Sequence, residues 1–140
     1  MPELPLIGRK KELLDVLRLF RDDDVRLVTI TGPEGVGKTR FAREVAAELN
    51  GEVEIVDENA PVPAQVRAIA TSREPLGLAG ERVYRLRPLA EAPAVELFRQ
   101  VATAASPAFD ASYEEIAAAS VQLGRLPGAI VQAAARGSLD

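Results

Sequence analysis

The chain has 140 residues, 17 of them lysine or arginine and 21 aspartate or glutamate, for a formal net charge of −4, and it contains no cysteine and no histidine. Disulfides, thiolate or imidazole metal centres, serine-protease-type triads and imidazole general bases are therefore excluded. The two signs of charge are intermixed, without the basic block that a dedicated nucleic-acid surface needs, and the length suits one domain or one compact domain with a small appendage.

The opening residues, with Glu3 and Pro5, lack the basic start and apolar core of a signal peptide. No apolar run is long enough to span a bilayer, so a cytoplasmic location is expected. Residues 3 to 9 read as an extended segment ending at Gly8-Arg9. Leu13, Leu14, Leu17 and Phe20 then recur at helical spacing with charged residues around the other face, which predicts an amphipathic helix over 9–21 closed by the solvated turn Asp22-Asp23-Asp24. Residues 25–31 form a nearly continuous β-branched run, the pattern of a central parallel strand covered on both faces. A glycine-rich loop follows. A helix over 38–49 carries Phe41, Val45 and Leu49 on one face, and Asn50-Gly51 ends it. A short strand over 52–58 alternates at Glu54, a turn runs from Asn59 to Pro63, and a further strand over 66–71 empties into Ser72-Arg73-Glu74-Pro75. After the glycine-containing turn 76–81 comes a last strand over 83–86. Alanine-rich helices are predicted at 91–105, 112–123 and 127–137, broken by Ser106-Pro107 and by Gly124 to Pro127. The expected organisation is a shortened α/β core over 1–89, with a small mostly parallel sheet flanked by helices, and a helical lid-like subdomain over 90–140.

The loop carries the chemistry. Gly32 to Thr39 fits G-x-x-x-x-G-K-[ST], preceded by a strand and followed by a helix, the context that a phosphate-binding loop requires. Glycines at 35 and 37 allow backbone angles and close approaches that a Cβ would forbid, so the amides of Gly35, Val36, Gly37, Lys38 and Thr39 can turn inward around phosphate oxygens. Lys38 is expected between the β- and γ-phosphates and Thr39 on Mg²⁺, with the helix N-terminus adding its partial positive charge. Pro33 has no amide to offer and can only shape the loop.

Six segments occur in order: Leu6-Ile7-Gly8-Arg9-Lys10-Lys11-Glu12-Leu13, the Gly32–Thr39 loop, Ala70-Thr71-Ser72-Arg73-Glu74-Pro75-Leu76, Gly80-Glu81-Arg82-Val83-Tyr84-Arg85-Leu86, Ala94-Val95-Glu96-Leu97-Phe98 and Leu126-Pro127-Gly128-Ala129-Ile130. Together they resemble the nucleotide-binding module of the STAND-class P-loop signal-transduction ATPases, in the version found in bacterial multidomain transcriptional regulators and related to NB-ARC modules. The resemblance implies that Ile7, Gly8 and Arg9 lie against the adenine end of the nucleotide and that Lys38 and Thr39, with Arg40 beside them, form the Walker A site. It also implies that Arg73 reports the γ-phosphate and that Pro127 contacts bound ADP. Read without the resemblance, Arg73 beside Glu74 makes a surface ion pair, and Pro127 is an ordinary first-turn helix proline.

Two departures from the family pattern stand out. The interval between the second helix and the Thr71-Ser72-Arg73 strand is too short for a second strand, a helix and a Walker B strand. The strand near Val53 to Val56 is then either the Walker B strand, with Asp57 near the metal and Glu58 as catalytic base, or the family's second strand with Walker B deleted. The other departure is Arg125 and Gly128, where the family favours Gly and Leu. The functions implied are an ATP/ADP- and Mg²⁺-binding regulatory switch, at most a slow ATPase, working with a protein partner or further domains of a regulator. The alternative is a degenerate P-loop module that acts through protein contacts without catalysis. A helix-turn-helix over 114–137 ranks lower, since its second helix offers DNA only Arg136 as a cation.

Overall fold

The computed structural model describes residues 6–62 and 66–139. Glu3, Pro5 and the Pro63 end of the expected turn lie outside the described residues. Packing divides the chain into two units, one holding the residues up to Glu34 together with Lys38–Arg87, the other holding Gly35–Gly37 together with everything from Pro88 onward.

The first unit is an α/β layer. Helix α1 (Lys10–Phe20) buries Val16 and Phe20 and packs against α2 (Lys38–Glu48), which buries Phe41, Ala42 and Val45. Asn50 and Gly51 take positive φ of 56° and 74°, and the Gly51 amide donates back to Ala46 at 2.9 Å, ending α2 as its Asn-Gly sequence predicts. Strands β1 (Leu27–Thr31), β2 (Val53–Asp57), β3 (Arg67–Ser72) and β4 (Glu81–Arg85) form one all-parallel sheet in the order β2-β3-β1-β4. Every residue of β1 is buried, the polar Thr29 and Thr31 included, as expected of a β-branched central strand covered on both faces. At the edges the pattern reverses: in β2 only Val53 is buried, and Val83 of β4 is exposed. The alternation at Glu54 thus marks an edge strand.

Arg67 ties α1 to the sheet. Its guanidinium donates to the carbonyls of Val25 at 3.0 Å, Asp22 at 3.1 Å and Phe20, and lies over the Phe20 ring at 5.0 Å from the centroid. The cation thereby satisfies the last carbonyls of the helix and complements its dipole.

In the second unit, α3 (Glu91–Ala105) packs against both α4 (Tyr113–Gln122) and α5 (Pro127–Ala134). The shared core is built on Val95, Leu97, Phe98, Ile116, Ile130 and Ala134. Ser112 caps α4 in a complete capping box, accepting from the Glu115 amide at 3.1 Å while the Glu115 carboxylate accepts from the Ser112 amide at 3.0 Å. The last helix is shorter than the 127–137 span that the sequence pattern predicts. It stops at Ala134 because Gly137 turns the chain at φ +73°, where a Cβ would stand 2.7 Å from that of Ser106. Among the described residues no helix is long and apolar enough to cross a membrane.

Candidate functional site

In a parallel sheet, ligands bind beyond the carboxyl ends of the strands, where neighbouring crossovers leave in opposite directions. Here that point is the end of β1. The chain leaves it through α2 toward β2 on one side, and the other neighbour, β4, lies on the opposite side. One rung of the sheet aligns Asp57, Thr71, Ile30 and Tyr84. Asp57 therefore ends its strand two spacings from β1, roughly 10 Å at about 4.8 Å per strand, on the edge from which the glycine loop departs.

A cavity of about 350 Å³ opens there, lined by Glu34, Lys38, Asp57, Glu58, Asn59, Thr71, Ser72 and Arg73. The Lys38 ammonium donates to the carbonyls of Gly32 at 2.8 Å and Pro33 at 3.1 Å. Burial pulls its pKa below the ordinary lysine value, Glu58 and Glu34 push it back up, and Arg73 adds to the lowering. Glu58 is held in place: its carboxylate accepts from the Ser72 hydroxyl at 3.1 Å and the Arg73 amide at 3.4 Å, and lies 3.9 Å from the Arg73 guanidinium. Asp57 accepts from the Asn59 amide at 2.9 Å, a tight turn that sets where the strand ends. Arg73 pairs with Glu58 across the cavity, whereas the sequence taken alone suggests a pair with its neighbour Glu74.

The remaining candidates are distributed as follows. Thr39 is exposed in the first turn of α2, and Arg40 pairs along that helix with Glu44 at 3.1 Å. Gly35 and Gly37 take φ of +85° and +96°, conformations that L side chains rarely adopt. The Val36 side chain is fully buried. Pro127 opens α5, its Cγ 4.0 Å from where a Cβ on Gly37 would stand. Ile7 is half-buried, and Gly8 turns the chain at φ +72° ahead of α1. Arg9 is buried; its guanidinium donates to the Arg87 carbonyl at 2.6 Å and pairs with Glu12 at 3.7 Å, both within the first unit.

Sequence reasoning passed over Glu34, Asn59, Thr71 and Ser72 as lining residues. The last two sit inside a segment already singled out, and their burial at the end of β3 is the signal that brings them in.

Known proteins corroborate the fold. A mutant RuvB of Thermotoga maritima superposes with a TM-score of 0.66 at 14% identity, over 94% of this chain and 62% of that one. A STAND protein with a tetratricopeptide repeat sensor, from Pyrococcus horikoshii, does so with a TM-score of 0.61 at 18% identity, over 90% and 29%. Uncharacterized proteins of Mycobacterium bovis and Mycobacterium tuberculosis are 52% identical over 46 residues, which is 33% of this chain and 11% of their own length. The AAA ATPase domain matches residues 5–139, nearly the whole chain. With a phosphate loop at the end of a buried central strand and that match, the chain belongs to the AAA ATPase domain family.

Proposed function

We propose that this chain is an ATP/ADP-binding switch module with slow Mg²⁺-dependent hydrolysis. The observation that carries the reading is the single cavity joining Lys38 to Asp57, Glu58 and Arg73. It favours β2 as the Walker B strand over the alternative in which Walker B is deleted, because Asp57 ends beside β3 and shares the cavity of the Walker A lysine.

The donor set fits a magnesium nucleotide. No group of three or more acidic side chains among the described residues could hold a metal alone. Mg²⁺, though, is commonly held by one or two carboxylates together with substrate phosphates and water. Thr39 and Asp57 are the protein ligands in this reading. The cavity carries one more carboxylate than cation, a balance that a divalent ion reverses in favour of polyphosphate. When bound, Mg²⁺ would supply charge neutralisation at the transferring phosphoryl group. In this reading the amides from Gly35 to Thr39 cradle the phosphates, Lys38 adds a point charge, and Arg73, which lines the same cavity as Lys38, is the cation assigned to distinguish a γ-phosphate from its absence. Glu58 is the candidate to orient the attacking water. Its engagement with Ser72 and Arg73 restrains it, which suits a slow reset of a switch better than fast turnover.

That same engagement supports the second reading, a binding module without catalysis. Calorimetry and thermal melts with Mg-ADP and Mg-ATP, followed by phosphate release over hours, separate the two. Binding with slow release supports the switch, and binding with no release supports the non-catalytic module. No binding at millimolar nucleotide overturns both.

A further inference from the structure

The tip of the phosphate loop packs with the helical unit, and the contact is backbone to backbone. The Gly128 amide, at the second position of α5, donates to the Gly35 carbonyl at 2.8 Å. A Cβ on Gly128 would stand 3.1 Å from the Gly35 Cα and 3.2 Å from its carbonyl oxygen. Both distances are tighter than ordinary contact, and both neighbours are main-chain atoms, so a side chain at 128 requires the loop backbone to give by a few tenths of an ångström.

The geometry has a consequence for the loop. The Gly35–Val36 peptide is trans and planar, so its C=O and N–H point in opposite directions. Holding the Gly35 carbonyl against α5 aims the Val36 amide at the opposite face of the loop. Gly35, at φ +85°, has no Cβ to restrict the plane of that peptide, so the hydrogen bond from α5 is one of the restraints on the direction of the peptide.

We infer that Gly128 is a positioning residue for phosphate binding: through the Gly35 carbonyl it orients the Val36 amide, and the α5 contact thereby sets the fraction of loops competent to bind. The inference rests on the nucleotide-binding reading above. A change that lifts α5 off Gly35 weakens nucleotide binding in proportion to the competent fraction lost.

The test compares the wild-type chain with Gly128→Ala, Gly128→Val and Gln132→Gly. Gln132 is exposed in the same helix, and its replacement weakens α5 through helix propensity alone. Affinity for Mg-ADP is read by calorimetry and amide exchange of the 32–39 segment by mass spectrometry, with circular dichroism as the check of fold. Gly128→Val is expected to bind Mg-ADP about tenfold more weakly, the size of one lost hydrogen bond, with faster exchange in the loop. Gly128→Ala falls between it and the wild type, and Gln132→Gly stays near the wild type. Equal affinity of wild type and folded Gly128→Val overturns the inference and leaves the nucleotide reading standing. So does a loss in Gln132→Gly as large as in Gly128→Val. If the wild-type chain binds no nucleotide, both fall.

Discussion

Replacing Lys38 by Ala separates phosphate recognition from fold. The ammonium now bonds two neutral carbonyls of its own loop, at 2.8 and 3.1 Å. A bound phosphate would offer it charged acceptors instead, and a charge-assisted hydrogen bond contributes about 1.5–3 kcal/mol. Losing it raises Kd about ten- to hundredfold. At nucleotide a hundred times the wild-type Kd, ligand stabilises the wild-type chain by about 2.7 kcal/mol, and the variant by about 0.4 to 1.4 kcal/mol. For a chain of this size about 3–4 °C corresponds to each kcal/mol, so the wild-type melting point rises by about 9 °C and that of the variant by about 1 to 5 °C. Without ligand the two stabilities stay within about 1 kcal/mol of each other, since the bonds lost are near the surface. Differential scanning fluorimetry with Mg-ADP reads both quantities. An equal ligand-induced shift in the two proteins would refute the assignment of the ammonium to phosphate.

Asp57→Asn is expected to bind nucleotide with little further gain from Mg²⁺, whereas the wild-type affinity tightens on adding the ion; calorimetry with and without Mg²⁺ decides it, and a full Mg²⁺ effect in the variant sinks the Walker B assignment. Glu58→Gln should retain nucleotide and lose phosphate release, measured in single turnover. Glu81 accepts from Thr29 at 2.5 Å and from the amides of Leu76 at 2.8 Å and Gly77 at 3.0 Å. Burial raises its pKa, but these bonds together with the Leu78 amide outweigh it and hold the carboxyl below its ordinary value. Its folded pKa lies below the unfolded one, so its contribution is complete above the unfolded value and is lost as pH falls through the folded value. Glu81→Gln should therefore cost about 1–3 kcal/mol at neutral pH and unfold with a shallower acid dependence in urea titrations from pH 7 to 3. Ser112→Ala removes the α4 cap and should lower stability by about 1 kcal/mol, read as a drop of about 3–4 °C in Tm; no change would mean that the capping box contributes nothing.

Much of the architecture was legible because its signals are local. The 3.6-residue spacing of Leu13, Leu17 and Phe20, the β-branched run of β1, and the Asn50-Gly51 stop each act within a turn or two of chain, and the structure repeats them within two residues. The spacing of Gly35, Gly37, Lys38 and Thr39 is equally local, which is why the phosphate loop could be named from composition and order. The S-x-x-E capping box at Ser112 was just as readable and passed unnoticed. Strand order is a different kind of fact. Nothing in Val53–Asp57 says that β3, later in the chain, inserts between it and β1; that follows from long-range pairing, and it leaves β2 at the edge with Glu54 exposed and Asp57 lining the same cavity as Lys38. The partners of Arg9 are likewise a product of the fold, its guanidinium donating to the Arg87 carbonyl 78 residues away as well as pairing with Glu12 in its own segment. Gly128 is the clearest division between the two levels. In the sequence it is a departure from a pattern, and in the folded chain it donates its amide to Gly35 at 2.8 Å, at a place where an added Cβ would stand 3.1 Å from the Gly35 Cα. Local spacing sets which groups can bind phosphate, and packing between residues far apart in the chain sets which way those groups face.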